Sequence, residues 1–419
     1  MISFKSVAKL LFAALFLFSA YTHAEYLYEI EVDDKSVDTL KVLLAEPTTQ
    51  ELIVGKLNID RLSGKIKEIE IPLKTNMVVH SKLVSFKKTA NHASIWKGNI
   101  ARVKTGGNVD SAFENNPMNY VTLVEANNRI TGMVSIRGQV YSIKPLNKRQ
   151  VAIITRDSSK FPEDGQPLIP TDGNNVPVSP PTQPTEPPVN QADVSRISVL
   201  MITTPEAYQQ IGAANYSGSV ALASGSLQDS VTNSGLAIEY NVIDIITNIS
   251  EDGRNMSTLL TDLQNPNTPL GQFAAQQRDI ARADLVNLMV VANEYCGLAN
   301  LLNGTIESFK AYGFSVVWYD CAGWNDTLGH EIGHNLGAQH DPENTQGNPY
   351  FPYGYGYQYT GTPAWRTTMA YECSSIACPR INIFSSPTLF HNGLPMGTAT
   401  QDNKRVLEQT RHNASMVYP

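Results

Sequence analysis

Three of the chain's eight histidines fall within eleven positions of a 419-residue sequence, in "LGHEIGHNLGAQHDP", residues 328–342. Residues four apart on an α-helix lie one turn apart on the same face, so His330 and His334 can hold a single metal ion. Glu331 stands about 100° around that helix from His330, beside the ion without having to bind it. Gly337 can take a positive φ, which lets the helix end and the chain turn. The turn returns His340 as a third ligand. Three neutral imidazoles with a fourth position open to water make a catalytic zinc site rather than a closed structural one. Zinc lowers the pKa of its water to about 7, and Glu331 is placed as the general base that takes the proton.

Those side chains need a frame, and the second half of the sequence supplies one. "RISVLMITT" (196–204), "LAIEYNVIDII" (236–246), "DLVNLMVVA" (284–292) and "FSVVWYD" (314–320) read as strands. Between them, a stretch near 215–231 and the segments "STLLTDLQ" and "LGQFAAQQRDIARA" read as helices. Alternation of this kind predicts a mostly parallel sheet flanked by helices.

The first half is different. From Glu25 to about residue 160, runs such as "YLYEIEV", "KIKEIEIPL" and "GQVYSIKPL" alternate with period two, and Asn-Asn and Arg-Gly pairs separate several of them as in hairpins. This is a β-rich domain without a cluster of candidate catalytic residues. Residues 161–193 carry nine prolines in 33 positions and no lysine or arginine. Such composition predicts an extended, exposed linker, hence a domain boundary and a site of proteolytic nicking.

Lys5 and Lys9, an apolar run from Leu10 to Ala20, and small Thr22 and Ala24 before a cleavage point have the layout of a secretory signal peptide, residues 1–24. The run is too short to span a bilayer, and no membrane span is expected in the mature chain. Export, to the extracellular space or the periplasm in transit, changes the meaning of Cys296, Cys321, Cys373 and Cys378: four cysteines in an oxidising compartment read as two disulfides. Three connectivities exist, and sequence proximity favours Cys296–Cys321 and Cys373–Cys378. A net charge of −7 argues against a nucleic-acid partner.

The pattern H-E-x-x-H-x-x-G-x-x-H resembles that of the metzincin zinc peptidases, which carry a methionine turn further along the chain. "RTTMAYECSSIAC" supplies Met369 in that place, and Asp341 directly after the third histidine resembles the adamalysin/reprolysin branch. "MAYE" and "NIFSSPTLFHNGLPMGTATQDNKRVLEQTRHN" are most similar to bacterial reprolysin-like enzymes, in particular the peptidyl-Asp metalloendopeptidases. The resemblance covers about 196–419 well. The β-rich segment is similar to their propeptides more loosely, through "SIWKGNI" and "GMVSIRGQVYSIKPL".

The resemblance implies an α/β (α+β) metzincin-type catalytic domain, residues 194–419, with a mostly parallel twisted sheet and a zinc helix. A β-rich propeptide domain, 25–160, precedes it. The implied activity is a secreted zinc endopeptidase made as a proenzyme, with protein or peptide substrates and its own propeptide as an inhibitor. Met369 would form the base beneath the metal. Tyr371 occupies the position where astacins and serralysins carry a tyrosine that can approach zinc and stabilise the oxyanion, although adamalysins are not known for one. The propeptide lacks cysteine, so latency would rest on a carboxylate, a histidine or steric cover. Cleavage before acidic residues needs a cation in the pocket after the methionine turn, where Arg380 is the candidate and Arg366 the other available charge. Glu163, Asp164, Asp172, Glu186 and Asp193 would then make the linker a substrate of the enzyme itself. The alternative of another class is an exported zinc-containing binding or adhesion protein without peptidase activity.

Overall fold

The computed structural model describes residues 24–31, 38–59, 61–89, 92–111, 113, 118–170, 193–347 and 349–419. The signal-peptide segment up to residue 23 and most of the proline-rich span, 171–192, lie outside the described residues.

Residues 25–156 build an eleven-stranded sheet, antiparallel in all but one pairing, around the core of Trp96, Val121, Leu123, Val134 and Ile143. Its central path follows chain order from Glu68–Lys74 through Met77–Lys88, Ser94–Thr105, Tyr120–Ala126, Arg129–Ile136 and Gln139–Pro145 to Gln150–Arg156. Asn127 and Asn128, and then Arg137 and Gly138, take positive φ at the centres of two hairpins, the conformation that two-residue turns with right-handed strand twist require.

The second half centres on a five-stranded sheet ordered Ile238–Ile246, Ser195–Thr203, Leu285–Val290, Phe314–Trp318, Gly297–Ala299. The first four strands pair in parallel and the short last one runs antiparallel at the edge. Successive side chains of a strand face opposite sides. Accordingly Ile197, Val199 and Met201 pack with the helix Ala213–Asn233 and the histidine-bearing helix Thr327–Asn335, whereas Leu200 and Ile202 pack with the helices Met256–Gln264 and Pro269–Ala281.

The two halves dock directly. Ala221 and Leu222 of helix 213–233, with Trp324, share a buried apolar cluster with Ile95, Val124 and Met133 of the N-terminal sheet. At the rim of this contact Lys97 pairs with Asp229 and donates to the Gly225 carbonyl at 3.0 Å. Further away, Asp320 is buried between Lys144 at 2.8 Å and Arg156 at 3.4 Å, and Glu46 faces both cations.

One expectation fails here. Residues 161–170 were to begin an exposed linker, but Asp164 is only 2% exposed and Gly165 is buried with it. The composition of the span still disfavours a core of its own. Its first residues acquire burial by lying along the edge strand Gly297–Ala299 of the other half.

Candidate active site

The helix carrying His330, Glu331 and His334 starts at Asp326, whose φ of 56° lies in the left-handed region. The Asp326 carboxylate does not cap its own helix. It accepts from Ser226 and, at 3.0 Å, from Asn382, so it ties the helix start to both neighbours. Burial raises its pKa to about 6, against the pull of the Ser226 hydroxyl and Arg380. The helix ends at Asn335, and Gly337 follows with φ +95° and an N–H to the His334 carbonyl at 2.9 Å. A Cβ at Gly337 would meet Phe351 at 2.7 Å and the Leu302 carbonyl at 3.0 Å, so both conformation and space require glycine.

This turn brings the three imidazoles together. Their Nε2 atoms are 2.9, 3.0 and 3.1 Å apart, and all three residues are fully buried. His330 Nδ1 lies 2.9 Å from the Thr368 carbonyl and His334 Nδ1 lies 2.8 Å from the Ala338 carbonyl. A carbonyl only accepts, so Nδ1 of His330 and of His334 carries the proton and their Nε2 atoms present lone pairs to the common centre, which Nε2 of His340 also faces. Burial keeps the rings neutral: the pKa of His334 falls to about 4, and those of His330 and His340 fall well below the ordinary value, with neighbouring imidazoles adding to the effect. Lone pairs converging at this range repel unless a cation lies between them. The donor set therefore fits a metal ion, and nothing in it fits another group as well.

Glu331 points into the same space. Both its oxygens are buried without a hydrogen-bond partner, and a Cβ at Gly297 would collide with the carboxylate, so the edge strand passes directly over it. Burial raises its pKa well above the usual range, the Asp164 charge reinforces this, and Arg380 opposes it. A buried carboxylate with no partner is an expensive arrangement, tolerated where a ligand completes it.

Met369 is fully buried under the helix, where a Cβ on Gly333 would come within 2.6 Å of its sulfur. Asp341 ties the histidine turn to the methionine turn: Oδ1 accepts the Tyr371 N–H at 2.9 Å and Oδ2 accepts from Asn344 at 2.8 Å. The Tyr371 ring lies against His340 with centroids 4.2 Å apart. Its hydroxyl donates to the main-chain carbonyl of Asp164, and burial raises its pKa far above that of a free phenol. The cysteines pair as Cys296–Cys321 and Cys373–Cys378, the first beside the edge strand and the second beside the methionine turn.

Of the two candidate cations, Arg366 pairs with Glu372 at 2.8 Å. Arg380 reaches the site: it donates to the Asn325 carbonyl at 2.9 Å and to Asp164 Oδ2 at 2.6 Å. Burial disfavours its charge, but Asp164 and Glu163 outweigh this and raise its pKa further. Asp164 is the residue that sequence reasoning missed, along with Thr327, whose hydroxyl lies 3.3 Å from Asp164 Oδ1. The only signal was the acidity of the span around it.

Comparison with known proteins agrees with this geometry. Residues 194–385 match the Reprolysin_5 family, described as metallo-peptidase family M12. The chain is 31% identical over 409 residues to a peptidyl-Asp metalloendopeptidase of Stenotrophomonas maltophilia strain K279a, covering 94% of each chain. Its identity to the protein of that name from strain R551-3 is 31% over 387 residues, covering 90% of this chain and 88% of the relative. To the one from Xanthomonas campestris pv. campestris it is 29% over 388 residues, with coverage of 90% and 88%. The extent of this likeness, most of both chains, decides for an enzyme over a binding protein. The chain belongs to the reprolysin-like metallopeptidases of family M12 and is a metalloendopeptidase.

Proposed function

We propose that the protein is a secreted zinc endopeptidase, made as a proenzyme, that cuts peptide chains beside acidic residues. One observation carries the catalytic part: three buried imidazoles converge within 3.1 Å, next to a buried carboxylate whose oxygens have no partner. Three neutral nitrogen ligands on this spacing suit zinc with one position left open. Zinc held there supplies a Lewis acid that brings the pKa of a water to about 7 and polarises the scissile carbonyl.

The chain's own residues do the rest. His330, His334 and His340 hold the ion, with His330 and His334 oriented by the Thr368 and Ala338 carbonyls. Glu331 accepts a proton from the attacking water and gives it to the departing amine nitrogen. Its two buried oxygens have no other partner and are free for both halves of that exchange. Tyr371 offers a phenolic O–H beside His340, where it can donate to the oxygen of the attacked carbonyl. Arg380 supplies the cation for an acidic side chain, in keeping with the names of the relatives.

Two disulfides suit an oxidising compartment. The described residues contain no helix long and apolar enough to cross a membrane. Residues 25–160 would be the propeptide, removed by cleavage within 161–193, where Asp193 is exposed.

The test is a peptide-library digest read by mass spectrometry, with elemental analysis of the purified protein. Zinc near one equivalent per chain is expected, with cuts flanked by acidic residues that a chelator abolishes. Glu331→Gln should lower turnover by about 10³-fold while leaving bound zinc unchanged. Equal turnover in the variant would overturn the assignment of the base.

A further inference from the structure

Asp164 is the most unusual acidic residue in the chain. It belongs to a proline-rich, acidic span, yet its side chain is 1% exposed and is held from three directions. Oδ2 lies 2.6 Å from Arg380 Nη2 and 3.5 Å from His330 Nδ1, while Oδ1 lies 3.3 Å from the Thr327 hydroxyl. Its main-chain carbonyl accepts from Tyr371. Around it the segment adds itself to the sheet edge. Glu163 O accepts from Cys296 N at 3.1 Å, Gly165 N donates to Gly297 O at 2.8 Å, and Leu168 N donates to Ala299 O at 2.9 Å. Leu301 N returns a bond to Leu168 O at 2.9 Å. A Cβ at Gly165 would come within 2.8 Å of Leu298, so the approach is close. Main-chain pairing to an open edge with one side chain in a pocket is the way extended peptides are recognised.

We propose that Asp164 is a built-in surrogate for a substrate's acidic side chain: Arg380 and Thr327 form the acid-selecting subsite, and residues 163–168 keep it filled in the full chain. This rests on the peptidase reading above. The position of the carboxylate separates the idea from direct capture of the metal. It faces His330 Nδ1, on the opposite side of the ring from the Nε2 atoms that converge at the centre. The segment thus blocks by occupying the cleft and its selective pocket, and leaves the ligand set intact. It also accounts for the burial of Arg380: in the full chain the cation has Asp164 as its anion, and a substrate carboxylate takes that place once the segment has left. A neutral side chain in that pocket would leave a buried charge without a counter-ion, the strongest form of discrimination available to a polar site.

The experiment uses the full chain in the Glu331→Gln background, so that nothing is turned over. Asp164→Asn is isosteric, removes only the charge, and keeps a group able to meet Thr327. Hydrogen exchange at the Gly165 and Leu168 amides should quicken by about tenfold or more in Asp164→Asn and in Arg380→Gln. It should stay unchanged in Glu307→Gln, an exposed carboxylate outside the segment and the pocket. The loosened Asp164→Asn chain should bind a labelled peptide of residues 161–169 at least about tenfold more tightly than the same peptide with asparagine at 164, and Arg380→Gln should erase that difference. Exchange indifferent to Asp164→Asn, or equal binding of the two peptides, would overturn the proposal. With Glu331 restored, Asp164→Asn chains that bind the acidic peptide but cut nothing would uphold the acid subsite and count against the peptidase reading alone.

Discussion

The histidine centre and the Arg380 pocket adjoin at His330 and at Tyr371, and are assembled in opposite ways. The centre is local: two histidines on one helix, the third six residues later, and orienting carbonyls from Ala338 in the same turn and Thr368 beside the methionine turn. The pocket is built from partners far apart in the sequence. Arg380 lies 55 residues beyond the Asn325 carbonyl it binds and 216 beyond the Asp164 that fills it. The three histidines and the carbonyls that orient two of them all come from residues 330–368, whereas the pocket is filled from the segment that leads out of the N-terminal half. On the proposals above, the first would set what chemistry is done and the second when, and on what.

The sharpest way to break the comparison is to disturb the docking itself. Asp320 is buried against Lys144 and Arg156 of the N-terminal sheet, and removing one partner of a buried pair typically costs about 3–5 kcal/mol. Asp320→Asn should fall at the lower end, about 3 kcal/mol, because Glu46 still faces both cations. The midpoint of urea unfolding of the full chain measures it. Burial alone would raise the Asp320 pKa, but Lys144 and then Arg156 outweigh it and hold the carboxyl below its ordinary value. A depressed carboxylate contributes stability that is present above the unfolded pKa, about 3.9, and is lost as pH falls through the lower folded value. The unfolding midpoint should therefore drop less on acidification below about pH 4 in Asp320→Asn than in the unaltered chain. Equal acid sensitivity in both would remove Asp320 from the docking account.

Tyr371 belongs to both regions, through its ring on His340 and its hydroxyl on Asp164, and so tests whether they are separable. If the hydroxyl serves the developing oxyanion, Tyr371→Phe in an Asp164→Asn chain should lower kcat by about 10²-fold with little change in KM. An effect confined to KM would move Tyr371 from the reaction to the holding of the segment.

The same division explains what could be read in the sequence. The convergence of His330, His334 and His340 was legible because helical periodicity and one glycine bring them together within eleven residues. The strands Ser195–Thr203 and Leu285–Val290 were legible because strands of a parallel sheet covered on both faces read as continuous apolar runs. The edge strand Gly297–Ala299 was not, since three residues carry no period. Asp164 was hidden for a different reason. Composition offers its span no core of its own, and it cannot say that Thr327, Tyr371 and Arg380, 163 to 216 residues away, provide one for Asp164. Arg380 was noticed for its charge and its place after the methionine turn, while its partner had to come from the fold.

The smallest expected effect concerns the hinge on which the local design depends. Gly337 holds φ at +95°, and a side chain there meets both an aromatic ring and a carbonyl. Alanine in such a conformation costs on the order of 1–3 kcal/mol. The contact with Phe351 at 2.7 Å can be relieved by a small movement of that ring, but the Leu302 carbonyl at 3.0 Å belongs to a main chain that itself donates to the His334 carbonyl. The turn must therefore shift rather than the wall, and His340 shifts with it. Gly337→Ala should lower the melting temperature only modestly, yet lower by about tenfold the chelator concentration at which a bound metal is lost, because one of the three clustered histidines would be displaced while His330 and His334 stay on their helix. Unfolding scans paired with zinc release into a chelating dye measure the two effects separately. A variant that melts early but keeps its metal as firmly as the parent would show that His340 is placed by Asp341 and the methionine turn rather than by the glycine.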